Sequence, residues 1–249
     1  MHKFIDLKID YAFKQLFGNE QNKKITIVFL NAMRTQKGEI INIEMQLSNQ
    51  NDMVKRTLFY WSRLYTAQLQ KGRGYRKLLP TITINICNFT VFGKLHPYHN
   101  TFHLYEDTML ERLNPKDDVL EIHFIEMNKF LKVWHDDQLN PLEDILARWL
   151  LLLGMVDARK TKVYEEIYMD LEELAMKDEN FQEAFNVWES MSQTPETVIA
   201  YQSRLKVLND EEARLADMRE IGIEEGIEKG IKQGIEKGIE KGKKKKRKD

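Results

Sequence analysis

Between Ile40 and Leu47 the chain reads IINIEMQL, and this run restricts the possible fold more than any other segment. In an extended strand side chains alternate between faces, so Ile41, Ile43, Met45 and Leu47 point into a core while Asn42, Glu44 and Gln46 share the opposite face. Glu, Asn and Gln are poor strand residues, yet here they are spaced among apolar ones. A carboxylate is thereby fixed on a rigid element between two amides. Two readings stay open: a functional site on a central strand, or an antiparallel strand with one wet face.

The chain has 249 residues, enough to bury a full core in one large domain or two small ones. Its content of 42% hydrophobic and 31% charged residues is that of a globular protein with a heavily charged surface. The longest apolar run, WLLLLGMV from Trp149 to Val156, is too short to span a bilayer, so no membrane partner is expected. Asp6, Lys8 and Asp10 interrupt the N-terminal apolar positions, which excludes a signal-peptide core. The single cysteine, Cys87, permits no internal disulfide framework and too few thiolates for a structural zinc site, so a reducing cytoplasm is expected.

Helical spacing predicts helices over Ile9–Phe17, closed by Gly18, and Ile25–Met33. Gly38 punctuates the start of the IINIEMQL strand. Asn51 or Asp52 can then cap a long helix with an apolar stripe of Val54, Leu58, Trp61, Tyr65 and Leu69, ending near Gly72. Strands are predicted at TITINICNF after Pro80, at Thr101–Tyr105 and at Val119–Met127. From Pro141, which suits a first helical turn, the period changes, and further helices are predicted over Leu142–Leu153, Val163–Lys177, Phe181–Met191 and Pro195–Met218. This order predicts an α/β core over residues 1–135, a helical extension over 136–220 and a low-complexity tail over 221–249.

In the tail, glycines recur every four residues from Gly222 to Gly242, and isoleucines from Ile223 to Ile239. Each glycine costs a helix about 1 kcal/mol relative to Ala, so disorder is expected over a self-associating helix with an isoleucine stripe. The net charge is −1, but residues from Gly222 onward carry ten Lys or Arg against five Glu and one Asp. Lys243 to Lys248 is a run of six cations, a solvated terminus or a phosphate-attracting arm.

The blocks FIDLKIDYAFKQLFGNE, FLNAM, GEIINIEMQLSNQNDMVKRTLFYWSRLYTAQL, TITINICNF, FHLYED and VLEIHFIEM, followed by repeated GIEKG, resemble in their order the recombination-promoting nuclease and putative transposase family. That family belongs to the PD-(D/E)XK nuclease superfamily. The resemblance covers nearly the whole chain. It implies a mixed central sheet flanked by helices, DNA as partner, Mg²⁺ or Mn²⁺ as cofactor with no small-molecule cofactor, and metal-assisted phosphodiester cleavage. It implies Glu44 as a metal ligand, the Met45 carbonyl as a second oxygen, and Gln46 in the place usually held by lysine. A neutral amide orients a water or a phosphate oxygen but supplies no charge.

Asp10 is the candidate for the acid that the superfamily places on its first helix, or else an ordinary exposed carboxylate. Arg56, Tyr60 and Arg63 recur on the face of the long helix away from Trp61, as phosphate contacts or as a solvated face. Relatives place a longer segment before the E-x-Q strand, with a strand bearing the central metal-binding Asp. Here Met33 runs through RTQK to Gly38, and no Asp lies between Asp10 and Asp52. The resemblance therefore implies an internally deleted copy with weakened cleavage, weakly held metal and an unpaired sheet edge. The alternative is a noncatalytic remnant that binds DNA or forms a homo-oligomer. His96, His99 and His103 are expected to be ordinary surface histidines.

Overall fold

The computed structural model describes residues 4–33, 39–49, 52–69, 74–115 and 118–245, with side chains as far as 239. Gly38, Asn51, Gly72 and the side chains of the Lys243–Lys248 run fall outside the described residues. Two compact units are formed, Met1–Tyr201 and Gln202–Asp249.

The first unit is built on a four-stranded mixed sheet of order β1-β2-β4-β3, from β1 (Ile40–Gln46), β2 (Thr81–Cys87), β3 (His99–Phe102) and β4 (Leu120–Glu126). β1, β2 and β4 run parallel, and β3 closes one edge antiparallel to β4. Parallel neighbours need a crossover, and α3 (Met53–Ala67) supplies it between β1 and β2. β2 is buried along its whole length, as its unbroken run TITINIC requires of a strand covered on both faces.

On one face, α3 covers Thr81, Asn85 and Cys87. Trp61 Nε1 donates to the Thr81 carbonyl at 2.9 Å, and Thr57 Oγ1 donates to Asn85 Oδ1 at 3.2 Å. The expected stripe of α3 holds only in part: Trp61 packs inward and Tyr65 is half-buried, but Met53 and Thr57 take the buried positions in the first turns, where Val54 and Leu58 are exposed. The inward face partners polar groups of β2, so apolar periodicity did not mark it. Asp52 occupies the cap position without making a cap bond.

The other face carries α1 (Asp10–Phe17), α2 (Lys23–Ala32), α5 (Ile145–Gly154) and α7 (Glu179–Gln193), joined by α4 (Met127–His135) and α6 (Glu165–Lys177). α1 ends at Gly18, where a Cβ would lie 2.8 Å from the Lys14 carbonyl oxygen. Phe17 and Phe29 meet Trp149 at ring-centroid distances of 5.9 and 5.7 Å, and Trp149 meets Phe181 at 5.5 Å. This aromatic contact ties the first two helices to the later ones within the first unit. α4 was not expected, and α5 begins at Ile145, after a turn from Pro141 in which Asp144 caps the Ala147 amide at 3.1 Å. A two-stranded ribbon, β5 (Val156–Asp157) with β6 (Lys162–Val163), was also unanticipated.

Ahead of α1 the chain is threaded through the interior. Lys8 is 3% exposed, and its ammonium contacts Asp6 Oδ1 at 3.0 Å and donates to the carbonyls of Leu153, at 3.0 Å, and Val156. Asp6 Oδ2 accepts from the Ala158 amide at 2.9 Å, and the Asp6 amide donates to the Tyr201 hydroxyl at 3.2 Å.

α8 (Pro195–Lys245) continues as a helix through the repeat, which corrects the expectation of disorder. Ion pairs at i,i+4, such as Lys229 with Glu225 at 3.1 Å, offset part of the glycine cost. Ile223, Ile227, Ile231, Ile235 and Ile239 are all exposed. Among the described residues no helix is long and apolar enough to cross a membrane.

Replacing Lys8 by Met leaves Asp6 as a buried charge without its cation, and is expected to lower stability by about 3–5 kcal/mol in urea denaturation. A loss below about 1 kcal/mol would show that the buried pair does not hold this segment.

Candidate active site

Asn42, Glu44 and Gln46 share one face of β1, as the alternation predicts. Asn42 Nδ2 donates to Glu44 Oε1 and Gln46 Nε2 donates to Glu44 Oε2, each at 3.3 Å. The two amides thus grip the carboxylate at both oxygens and fix its plane. Glu44 pairs in register with Asn85, which accepts from Thr57 of α3, so this face of β1 lies on the α3 side of the sheet. Gln46 is buried and Glu44 half-buried. The amide expected to orient a water or a phosphate therefore serves the carboxylate beside it.

β1 is not a central strand. It lies at the end of the sheet, and among the described residues no strand pairs with its outer side. Ile41, Ile43, Met45 and Leu47, expected in the core, are only half-buried, with no strand paired along that edge among the described residues. The Ile40 amide bonds to Pro80 O and the Gln46 carbonyl accepts from the Asn88 amide, both on the β2 side. Backbone groups alternate in direction along a strand, so those of Asn42 and Glu44 also turn toward β2 and those of Ile41, Ile43 and Met45 turn to the open edge. The Met45 carbonyl is therefore presented outward.

Beside that edge lies a cavity of about 300 Å³ lined by Asp10 and Lys14 of α1 and by Asn42, Glu44 and Met45 of β1. Phe13 and Phe17 form part of its wall. Asp10 is exposed and holds Lys14 Nζ at 2.9 Å across one helical turn. Nothing in the sequence alone assigns Lys14 to the site, although its position four residues after Asp10 puts both on one face of the helix. The cavity is thus bordered by α1 on one side and the end strand on the other, while the Glu44 side chain is directed to the α3 face of the sheet. Both Glu44 oxygens are engaged by amides and Asp10 is engaged by Lys14. Among the described residues no three His, Cys, Asp or Glu side chains converge on a point. These residues do not by themselves build a complete site for a hard divalent cation, which wants a near-octahedral set of oxygens.

Arg56, Tyr60 and Arg63 lie on the flank of α3 away from Trp61. Trp61 packs with Leu120, Ile122 and Phe124 of β4, and α3 lies over β2, so the opposite flank is turned toward β1. The Arg56 guanidinium lies 5.5 Å from the Tyr60 ring centroid, and that of Arg63 lies 5.8 Å from Phe59. Two arginines are thus held on aromatic faces on the same side of the molecule as Glu44.

The expected surface histidines are not all on the surface. His96 is exposed, but His103 Nδ1 lies 2.8 Å from Asp118 Oδ2 with little exposure, and His99 Nε2 lies 2.8 Å from His123 Nδ1.

The family model described as PD-(D/E)XK nuclease family transposase matches residues 7–36 and 32–218. Neither a curated protein nor a solved structure matches the chain. The match covers most of the chain, including α1, the E-x-Q strand, α3 and the rest of the sheet, and the mixed sheet flanked by helices agrees with a nuclease fold of this kind. The chain belongs to the PD-(D/E)XK nuclease family transposases.

Proposed function

We propose that this chain is a DNA endonuclease acting in recombination or transposition, whose cleavage is weakened by loss of the acid-bearing strand that relatives place before the E-x-Q strand. The observation that carries this reading is the position of Glu44, held by two amides at an open sheet edge beside a cavity that a neighbouring strand could border. The match to the family in two segments that meet at residues 32–36 supports a discontinuity at the same place. Glu44 is then the retained acid, with the Met45 carbonyl as a further oxygen and, among the described residues, Asp10 as the upstream acid lining the cavity. Gln46 orients Glu44. Lys14 supplies the positive charge that Gln46 lacks, available to a phosphate oxygen once it leaves Asp10. With one carboxylate fewer, Mg²⁺ or Mn²⁺ is weakly held.

Arg56, Tyr60 and Arg63 hold the DNA backbone on the same side. The presence of a single cysteine supports work in a reducing cytoplasm. The second reading is a noncatalytic remnant that binds DNA or self-associates. The pairing of Asp10 with Lys14 favours it, as does the exposed isoleucine row of α8.

A plasmid-nicking assay with Mg²⁺ separates the two. Slow nicking is expected from the chain as it stands. Restoring an Asp-bearing strand after residue 33 should recover activity, and Glu44→Ala in that restored chain should lower it by roughly 100-fold, the equivalent of about 2.7 kcal/mol of charge stabilisation. Nicking by the unmodified chain at the rate of a full-length relative, with Asp10→Ala tolerated, would overturn this reading.

DNA contact is tested separately by binding over a range of salt. Replacing Arg56 and Arg63 together by Ala should weaken affinity and lower the slope of log K against log salt by about one to two, without changing sequence preference. An unchanged slope would mean that this flank of α3 does not meet phosphates.

A further inference from the structure

On the face of the sheet opposite Glu44 lies a line of hydrogen-bonded side chains that the nuclease reading leaves unused. Glu121 and His123 alternate along β4, and Thr101 of β3 pairs with His123 in the antiparallel register. His123 is 3% exposed. Its Nε2 lies 2.6 Å from Glu121 Oε1, and its Nδ1 lies 2.8 Å from His99 Nε2 and 3.3 Å from Thr101 Oγ1. A carboxylate on one ring nitrogen fixes the tautomer of a neutral imidazole, with the proton on Nε2 and the lone pair on Nδ1. That lone pair points at His99 and Thr101. The group borders a cavity of about 900 Å³ whose lining also includes Glu143 and Asp144, which makes the opening attractive to cations.

We propose that His99 Nε2 and His123 Nδ1 form a binding site for a borderline divalent transition-metal ion of the Zn²⁺ class, completed by the Thr101 hydroxyl or by water from the cavity. Imidazole donors suit Zn²⁺, Ni²⁺ and Cu²⁺, and a ligating histidine ordinarily donates its other ring proton to a carboxylate, as His123 does to Glu121. Two nitrogens bound at about 2.1 Å to a tetrahedral ion stand roughly 3.4 Å apart, so the 2.8 Å pair must open by about 0.6 Å. His99 sits at the start of β3, a short edge strand, where such a shift is easily absorbed. The ion replaces the proton between the rings, with His99 in its Nδ1-protonated tautomer and no net proton released. Only two protein nitrogens converge, so affinity is modest and several coordination positions belong to water. Bound metal clamps β3 to β4. It also steadies the middle of the sheet, because Asn85 Nδ2 donates to the His123 carbonyl at 3.1 Å and Asn85 pairs in register with Glu44.

The test uses the full chain without an affinity tag, stripped of metal by chelator and titrated with Zn²⁺ while thermal unfolding is followed. At about tenfold excess over Kd the melting temperature should rise by roughly 3–6 °C. Mg²⁺ should not compete. His99→Ala should abolish the rise with the fold intact, and Glu121→Gln should weaken Zn²⁺ binding by about 10–100-fold. No rise, or an equal rise in His99→Ala, would overturn the proposal. Should His99→Ala fail to fold, the histidine ring resonances of the unmodified chain decide: two moving together on Zn²⁺ addition support the site, and none moving contradicts it.

Discussion

The buried ammonium of Lys8 is the interaction on which the rest of the first unit depends. It ties a segment only a few residues from the N-terminus to the end of α5 and, through Asp6, to Ala158 and Tyr201. A charge out of water persists only where every hydrogen has a partner, so the contacts of Lys8 leave little freedom in how Ile5 to Ile9 run. The nearby Trp188 indole adds a bond to the Ile5 carbonyl at 3.0 Å. α1 begins at Asp10, directly after this anchor, with the Phe13 amide bonded to Ile9 O. The anchor therefore sets where Asp10 and Lys14 stand relative to the edge of β1.

That edge is the second constraint. An end strand whose backbone groups face outward invites another strand, and proteins ordinarily blunt such edges with proline, bulges or inward charge. β1 has no proline, pairs with β2 without interruption over seven residues, and carries its one charge on the α3 side, between amides. The strand is built like an interior strand and placed like an edge strand, which is what removal of a neighbour would leave. The cost appears in the half-buried Ile41, Ile43 and Met45.

Much of this was legible in residue order, for a physical reason. Alternation of apolar and polar residues marks a strand and its faces, so β1, β2 and β4 and the shared face of Asn42, Glu44 and Gln46 were read correctly. Where inward residues are polar the reading slipped. α3 turns Thr57 toward Asn85, and Gln68, just past its end, donates to Thr81 Oγ1 at 3.1 Å, while Val54 and Leu58 face solvent. The alternation of VLEIHFIEM gives no sign of where β4 ends and α4 begins, although Met127, Phe130 and Trp134 continue at helical spacing. The His99–His123 pair joins residues 24 apart in sequence, and only the antiparallel register of β3 on β4 brings them together. Lys14 was visible but unassigned, because nothing local says that its helix faces the edge of a strand some 30 residues later.

Hydrogen–deuterium exchange resolved to single amides tests the open edge most directly. In the monomer, the amides of Ile41, Ile43 and Met45 should exchange quickly, while those of Asn42, Glu44 and Gln46 and the whole of β2 stay protected. Equal protection along both sides of β1 would mean that another strand covers it, and the loss of a neighbouring strand would no longer explain the site.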